Sequence, residues 1–463
     1  MRALSADLAD RAFRTALRSG GEFAELFGEH RINRAVSAED GVIERATAGV
    51  DCGIGMRVLH GGTFHYGFTE DLSDEAVLAL AARLAGQYRA GGPAGVPSRV
   101  RAATAPTGPA EPPGWPDMAG MADAVEACDG HARRFDHRIT QVTPLCTDTV
   151  QDVTIVNSDG QFVVDRRVRV RLRVKVVATG PDGSKATGIE TAAGSSGYDV
   201  IAERGPAWLA ESACQQAITM LDARPTPAGE MPVILHAGSG GVLAHEACGH
   251  GLEGDIALNL RSVYADRRGE QVASEHVTLI DDPSIDGLWG SYRFDDEGTA
   301  ATPSVLIDGG TLTGYLTDRR IARMHGQPNS GNGRRVSYRY HPIIRMSNTY
   351  IAAGRHAPQD LIAATGHGLY AKRLGGGSVD PTTGEFNFTV REAYLIRDGA
   401  VDAPVYGATL TGDSVGALRS IDMVADDLEF VAASCGKDGQ RAWVTVGQPT
   451  VRVSSLLVAG SAR

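Results

Sequence analysis

The sequence predicts an α+β protein, with an N-terminal mixed α/β domain over residues 1–226 and a β-rich C-terminal domain over residues 227–463. Three observations lead to this class. The chain has 463 residues, which is too long for one compact core and suits two or three domains. Helical periodicity and long alternating strands mix in the first half. Beyond Pro225-Thr226-Pro227 the pattern changes to short, glycine-rich strands with few helices, so we place the boundary there.

The first elements are predicted from the spacing of apolar residues. Residues 5–29 have the periodicity of an amphipathic helix, with Leu8 and Ala12 on its apolar face. Ser73 begins a second helix, which has acids in its first turn and continues over 76–88. Between these helices the sequence predicts strands at 31–36, 41–47 and 53–68, the last with a hairpin turn at 60–63.

Residues 91–116 are dominated by proline, glycine and alanine, which predicts a long surface loop or linker. Two further helices are expected, at 117–134 and 203–222. Between them the sequence predicts strands at 138–146, 149–157 and 161–178, with a tight turn at 157–160.

The stretch DRRVRVRLRVKV, residues 165–176, alternates valine or leucine with basic residues. Such alternation is typical of a strand with one apolar face and one solvated face. The acidic total of the chain favours this interpretation over a nucleic-acid-binding stripe. We assign no function to the arginines of this strand, nor to the glycine run at 375–377.

Composition and charge narrow the classes of function. The net charge of −11 leaves no basic surplus to neutralise nucleic-acid phosphates. No apolar run approaches the roughly 20 residues of a membrane helix, and the acidic N-terminus does not resemble a signal peptide. The six cysteines lack the spacing of a disulfide scaffold. We therefore expect a cytoplasmic protein that binds neither nucleic acid nor membrane.

The stretch HEACGHGLEGD, residues 245–255, is the strongest candidate for chemistry. It follows a predicted buried strand at 231–237 and lies on a helix predicted over 240–253 with Ser239 as its cap. Its histidines are five residues apart, whereas the H-E-x-x-H motif of zinc peptidases has them four apart. In a regular helix such side chains diverge by about 140°. A shared metal ion therefore requires the helix to break or bulge, and the glycines flanking the second histidine allow that.

Two histidines are too few for a catalytic zinc site, which normally has three protein ligands. From the residues alone the third ligand remains open between Glu253, Asp255, another histidine and a distant cysteine. Structural histidines are common, so the motif by itself is equally compatible with a site that binds no metal.

Several ordered blocks, taken together, are far more specific than this motif. The sequence resembles the TldD branch of the TldD/PmbA (TldE) family, metallopeptidases that are also named as modulators of gyrase. The resemblance covers essentially the whole chain. The blocks that carry it are residues 245–255, 331–335, 345–349, 435–440 and 446–450.

The resemblance implies one zinc ion per site, held by His245, His250 and Cys435. A thiolate and two imidazoles are good zinc ligands and leave one coordination position open. It also implies that Glu246 is the general base, which takes a proton from the attacking water. Without the resemblance, a buried structural cysteine is the simpler interpretation of Cys435.

Other residues of these blocks are candidates for supporting or substrate-binding roles. Glu253 and Asp255 are candidates for outer partners of the ligand histidines, or else solubilising acids at a helix end. The resemblance places the loop containing Asn332, Arg334 and Arg335 in the substrate cleft, where arginines offer many donors to peptide carbonyls or a carboxylate. A solvated surface turn is the alternative.

The family implies a zinc-dependent peptidase that hydrolyses unstructured peptides or unfolded segments, in peptide maturation or turnover. It also implies a homodimer, or a heterodimer with a TldE/PmbA-type chain. The alternative is a non-catalytic peptide-binding partner or regulator, in keeping with the gyrase-modulator name. The partner branch generally lacks the histidine motif, so the intact residues 245–250 favour the enzyme.

Overall fold

A computed structural model describes residues 4–88, 98 and 116–460. Apart from residues 98 and 116, the loop predicted at 91–116 lies outside the described residues. Among the described residues, no helix is long and apolar enough to cross a membrane.

The first part of the chain builds one antiparallel six-stranded sheet, in the order β3-β2-β1-β4-β5-β6. Helices α1 and α2 pack on one end of the sheet, and α3 and α5 pack on the other. The strands are β1 (Phe23–Glu39), β2 (Val42–His60), β3 (Thr63–Thr69), β4 (Ile139–Asn157), β5 (Phe162–Thr179) and β6 (Lys185–Gly194). The helices are α1 (Ala6–Leu17), α2 (Asp74–Ala85), α3 (Met118–Phe135), α4 (Asp199–Ala202) and α5 (Gly205–Leu221).

The second part builds a mixed eight-stranded sheet and a second six-stranded sheet. The first of these contains β7 (Arg224–Pro225), β8 (Gly229–Leu235), β15 (His367–Val379), β16 (Glu385–Arg397), β17 (Ala400–Tyr406), β18 (Thr409–Asp413), β19 (Ile421–Val424) and β22 (Val451–Ala459). The other contains, in spatial order, β11 (Thr311–Leu312), β10 (Ser304–Asp308), β9 (Leu279–Asp281), β14 (Asn348–Ile351), β21 (Gln440–Gln448) and β20 (Glu429–Lys437). A small ladder joins β12 (Gly333–Arg334) to β13 (Ile343–Ile344), and short helices are α6 (Gly254–Ala257), α7 (Arg319–His325), α8 (Pro358–Ala363) and α9 (Ser414–Arg419).

The α+β class is as predicted. Every strand of the first sheet precedes residue 226, and the strands of the other sheets follow it except for β7. We therefore propose the division into residues 1–226 and 227–463 as the domain boundary.

Two predictions about the first domain are wrong. The helix predicted over 5–29 ends at Leu17, and β1 begins at Phe23 because its apolar residues pair with β2 in the sheet. The strands predicted at 138–146 and 149–157 are one strand, β4. Asp148 interrupts the apolar pattern, but its carboxylate accepts hydrogen bonds from Arg34 at 2.5 Å and from Tyr198 at 2.9 Å inside the sheet.

The basic face of β5 is not a solvated surface. Val170, Leu172 and Val174 face the helices, as the alternation predicts. The opposite face, however, is turned toward the second domain, and Arg169 is only 3% exposed there. Arg167 pairs with Asp296 of the second domain at 2.5 Å. The basic side chains of β5 thus form the wall of a cavity of about 1340 Å³ between the two parts of the chain.

Candidate metal centre

The motif segment does not form the regular helix predicted over 240–253. After β8 the chain makes a 3-10 turn at Ser239–Gly241, a π-helix at Ala244–Gly249 and a second 3-10 turn at His250–Leu252. Ser239 is not a helix cap. Its hydroxyl donates to the carbonyl of Lys372 and accepts from the N–H of Leu374, which ties the turn to β15.

The π-helix accounts for the five-residue spacing of the histidines. The N–H of His250 donates to the carbonyl of His245, so these residues are joined by one widened turn. Their rings lie 5.3 Å apart between centroids. The expected distortion is present, although it begins before the flanking glycines. Gly249 is required here because a Cβ atom would lie 1.9 Å from Sδ of Met346.

The second domain brings Cys435 to the histidines from a strand far along the chain. Its Sγ lies 3.1 Å from Nε2 of His250, and the ligand atoms of His245, His250 and Cys435 all lie within 4.8 Å of one another. Cys435 lies within β20, two residues before the end of the strand at Lys437, and not in a turn. Arg345 donates to the carbonyl of Cys435 at 2.7 Å and fixes its backbone.

The three side chains fit a divalent metal ion. His245 is 3% exposed, and its Nδ1 is buried without a hydrogen-bond partner among the described residues. A buried polar atom without a partner is costly, and a coordinated cation is one way to satisfy that ring. Ligands around zinc lie about 3–4 Å apart, close to the observed spacing.

The charges of the cluster favour the thiolate that metal binding requires. Burial opposes ionisation of Cys435, but the adjacent His245 and His250 outweigh burial and lower the pKa of the thiol to about 4. Burial also disfavours the cationic form of His250, yet Glu253 and Cys435 raise its pKa well above its usual value.

Glu253 contacts a candidate ligand directly. Its Oε2 lies 3.2 Å from Nδ1 of His250, and it is fully buried. Lys437 approaches both Glu253, at 2.9 Å, and Asp255, at 2.8 Å. Burial raises the pKa of Glu253, but the charges of Lys437 and His250 prevail and lower it to about 2. Glu253 can therefore orient the imidazole, whereas Asp255 acts on the cluster only through Lys437.

Glu246 lies beside the cluster on the wall of the large cavity, which His245 also lines. Its Oε2 is 3.8 Å from Nε2 of His250, and its side chain is 21% exposed. Burial raises the pKa of Glu246 above its ordinary value, although the nearby histidines oppose this. A carboxylate with a raised pKa is a stronger base, and this one faces the space that a substrate would enter.

The loop containing Asn332, Arg334 and Arg335 is buried in the protein and is not a solvated surface turn. Asn332 is fully buried and donates to Asp281 at 2.8 Å. Arg334 donates to the carbonyls of Met346 at 2.5 Å and Trp443 at 2.7 Å. Arg334 and Arg335 do line the cavity, but their guanidinium groups already bind acceptors of the chain. Direct contact of these residues with substrate stays a prediction.

Arg335 joins the two domains through a buried ion pair. It donates to Glu25 of β1 at 2.7 Å, and both side chains are 1% exposed. We expect Arg335→Ala to lower the free energy of unfolding by about 3–5 kcal/mol, because a buried carboxylate loses a partner. Chemical denaturation measures this change. Arg339→Ala is the matched control: Arg339 pairs with Asp51 but is 35% exposed, so its loss should cost at most about 1 kcal/mol. Equal stability of the two variants would contradict a buried structural role for Arg335.

Sequence reasoning missed two basic residues that support the cluster. Lys437 lies two residues after Cys435 in the same strand, so both side chains point to one face. The two-residue spacing between Cys435 and Lys437 could have identified Lys437 from the sequence. Arg345 binds the carbonyls of Cys435 and Gln440, and the sequence gives no sign of this long-range contact.

Two imidazoles and a thiol that converge beside a carboxylate, next to a large cavity in an α+β fold, define a candidate metal-dependent hydrolase. The known relatives agree. Models of the PmbA/TldA metallopeptidase family match residues 24–87 (domain 1), 112–221 (central domain) and 228–460 (C-terminal domain). The chain belongs to this family.

Similar proteins carry metalloprotease names. The chain is 36% identical to the metalloprotease TldD homolog of Haemophilus influenzae over 95% of this chain and 93% of that protein. It is 30% identical to a metalloprotease of Methanothermobacter thermautotrophicus, over 95% of this chain and 96% of the other. A metal ion is thus implied for a chain that contains the His/His/Cys cluster.

Solved structures share the fold. TldE from Thermococcus kodakarensis superposes with a TM-score of 0.78 at 18% identity, covering 98% of this chain and all of that one. A Thermotoga maritima protein named as a candidate modulator of DNA gyrase gives 0.79 at 20% identity, covering 98% and 99%.

Proposed function

We propose that the protein is a zinc-dependent peptidase that hydrolyses unstructured peptides or unfolded segments, in peptide maturation or turnover. The observation that carries the proposal is the convergence of His245, His250 and Cys435, within 4.8 Å, beside the cavity-facing Glu246. Two imidazoles and a thiolate suit zinc and leave one position for chemistry. A bound zinc ion supplies Lewis acidity that polarises a peptide carbonyl and makes water more acidic.

The side chains of the protein have separate tasks in this reaction. Glu246 accepts the proton of the attacking water and returns it to the leaving amine. Glu253 holds His250 in one orientation through the 3.2 Å contact. Lys437 keeps Glu253 ionised, which sustains that contact.

An extended peptide fits the outer edge of β20. This strand is the last of its sheet in the described structure, pairing with β21 on one side, and residues 429–434 line the cavity before the strand reaches Cys435. A peptide can add to such an edge by main-chain hydrogen bonds, which read little sequence. A folded protein cannot present its backbone in this way.

Cleavage should therefore depend on unfolding. We expect a stable test protein to resist the peptidase when folded and to be cut after irreversible unfolding, as followed by mass spectrometry. Equal cutting of both forms would refute selection by extension.

A peptide with N-methyl groups at alternate residues tests the edge contact itself. Only every second N–H of an added strand points to the sheet, so one methylation pattern should raise KM by about tenfold or more and the other should change it little. Equal effects of the two patterns would show that the peptide does not add to β20.

We also propose a cytoplasmic enzyme that works as a homodimer or with a TldE/PmbA-type partner. All six cysteines are free, which suits a reducing compartment, and a solved TldE structure shares the fold. A non-catalytic peptide-binding regulator is the competing function, but it has no use for Glu246 beside a complete ligand set.

A further inference from the structure

The cavity has the opposite charge to the protein. Twelve arginine or lysine side chains line it against seven carboxylates, whereas the whole chain has a net charge of −11. Its volume of about 1340 Å³ exceeds the range of about 300–1,000 Å³ that is usual for small-molecule sites. The space suits a peptide, and its walls suit an anionic one.

Most of these cations already have partners. Arg373 binds Glu190 at 2.9 Å and Glu392 at 3.0 Å. Arg167 binds Asp165 and Asp296. Such pairs stabilise the wall and leave little charge for a ligand.

In the part of the chain that the structure describes, several arginines of the cavity wall have no carboxylate partner, and three of these repel one another. Within the described ranges, Arg171 and Arg173 of β5 and Arg391 of β16 form no ion pair with a carboxylate, and all three line the cavity. Arg171 lies over the ring of Trp289, 6.0 Å from its centroid, and its Nε is buried without a hydrogen-bond partner. Burial and the charge of Arg173 lower the pKa of both Arg171 and Arg391. Like charges held together in this way are costly, and a ligand carboxylate would relieve that cost.

The position of these arginines relates them to the peptide path. Arg171 pairs with Ala193 and Arg173 with Thr191 in the ladder between β5 and β6. Strand β6 is the edge of the first sheet and contacts β20, the edge of the other. A peptide on β20 would therefore run past β6, and its side chains could reach Arg171 and Arg173 one strand away. Arg391 of β16 belongs to the same group because its charge and that of Arg173 repel each other across the cavity wall.

We propose that the enzyme selects peptides with acidic side chains, whose carboxylates bind Arg171, Arg173 and Arg391. A guanidinium binds a carboxylate through two parallel N–H donors, which favours aspartate and glutamate over their amides. This inference rests on the proposed peptidase function and adds a substrate class to it.

Matched peptides test the selection. Two flexible peptides differ only in having three glutamates or three glutamines, and both are acetylated and amidated to remove the terminal charges. We expect kcat/KM to be about tenfold or more higher for the glutamate peptide, mainly through KM. Raising the salt concentration should reduce the ratio. A third peptide, which has uncharged side chains but a free C-terminal carboxylate, shows whether that terminal group accounts for the effect. Preference for that peptide alone would overturn recognition of acidic side chains.

Arginine variants assign the residues. Arg173→Gln and Arg391→Gln should each lower the glutamate-to-glutamine ratio toward one. Arg397→Gln is the matched control, because Arg397 lies on the same strand as Arg391 but pairs with Asp402 and does not line the cavity. A wild-type ratio in both cavity variants would overturn the assignment.

A binding measurement separates this proposal from the peptidase itself. Glu246→Gln protein and labelled forms of the same peptides give affinities by fluorescence anisotropy without hydrolysis. Tighter binding of the acidic peptide with no cleavage by the wild type would support the selection and refute the peptidase. Equal binding and equal cleavage of both peptides would refute the selection and leave the peptidase standing.

Discussion

Cys435→Ala protein is expected to lose its bound metal and its peptide hydrolysis together. The thiolate is one of three ligands, so its removal should weaken metal binding by more than the roughly 10–100-fold that follows loss of an outer partner. His245→Ala and His250→Ala should have the same effect. Elemental analysis of the purified proteins, which should show about one divalent ion per wild-type chain, measures it directly.

Cys248→Ala is the control for this experiment. Cys248 is fully buried in the π-helix that carries His245, but it belongs to the hydrophobic core and not to the ligand cluster. Its replacement removes one thiol and should keep the metal. Full occupancy in Cys435→Ala would exclude the cysteine and point to Glu253, which already contacts His250.

Glu246→Gln should keep the metal and lose hydrolysis by about 10²–10⁴-fold in kcat. Glutamine has nearly the same shape but cannot accept a proton at neutral pH. The fold should persist, because Glu246 has no ion pair shorter than 3.8 Å among the described residues. Kinetics with an unfolded peptide, together with metal analysis, measure both properties.

Glu275→Gln is the matched control for the charge change. Glu275 is exposed and lies outside the cavity, so its variant should hydrolyse the peptide like the wild type. Wild-type rates in Glu246→Gln would show that another group takes the proton.

Local patterns predicted the parts of this molecule that depend on local interactions. The turn at residues 60–63 joins β2 to β3 as expected, and Ser73 caps α2 through the N–H of Ala76. The start of β1 could not be predicted in the same way, because a short apolar run suits a helix or a strand equally well. Pairing with distant strands decides between them.

The candidate site shows the same difference between features set by local sequence and features set by distant contacts. The histidine motif is readable because its residues are close in sequence, and its spacing correctly predicted a distorted helix. Cys435 comes from a strand 185 residues after His250, so only the family resemblance pointed to it. The basic face of β5 was misread because alternation says which residues share a face but not what covers that face. A second domain, not solvent, lies there.

The π-helix at Ala244–Gly249 has a consequence for how such proteins are recognised. One widened turn is equivalent to an α-helical turn with a single residue inserted, and the insertion moves every later side chain about 100° around the axis. His250 therefore occupies the place that the second histidine of H-E-x-x-H holds in a regular helix. The fixed-spacing motif H-E-x-x-H does not match this chain, and an alignment without a gap pairs His250 with the wrong position. Searches for metallopeptidases need to allow one inserted residue between the histidines.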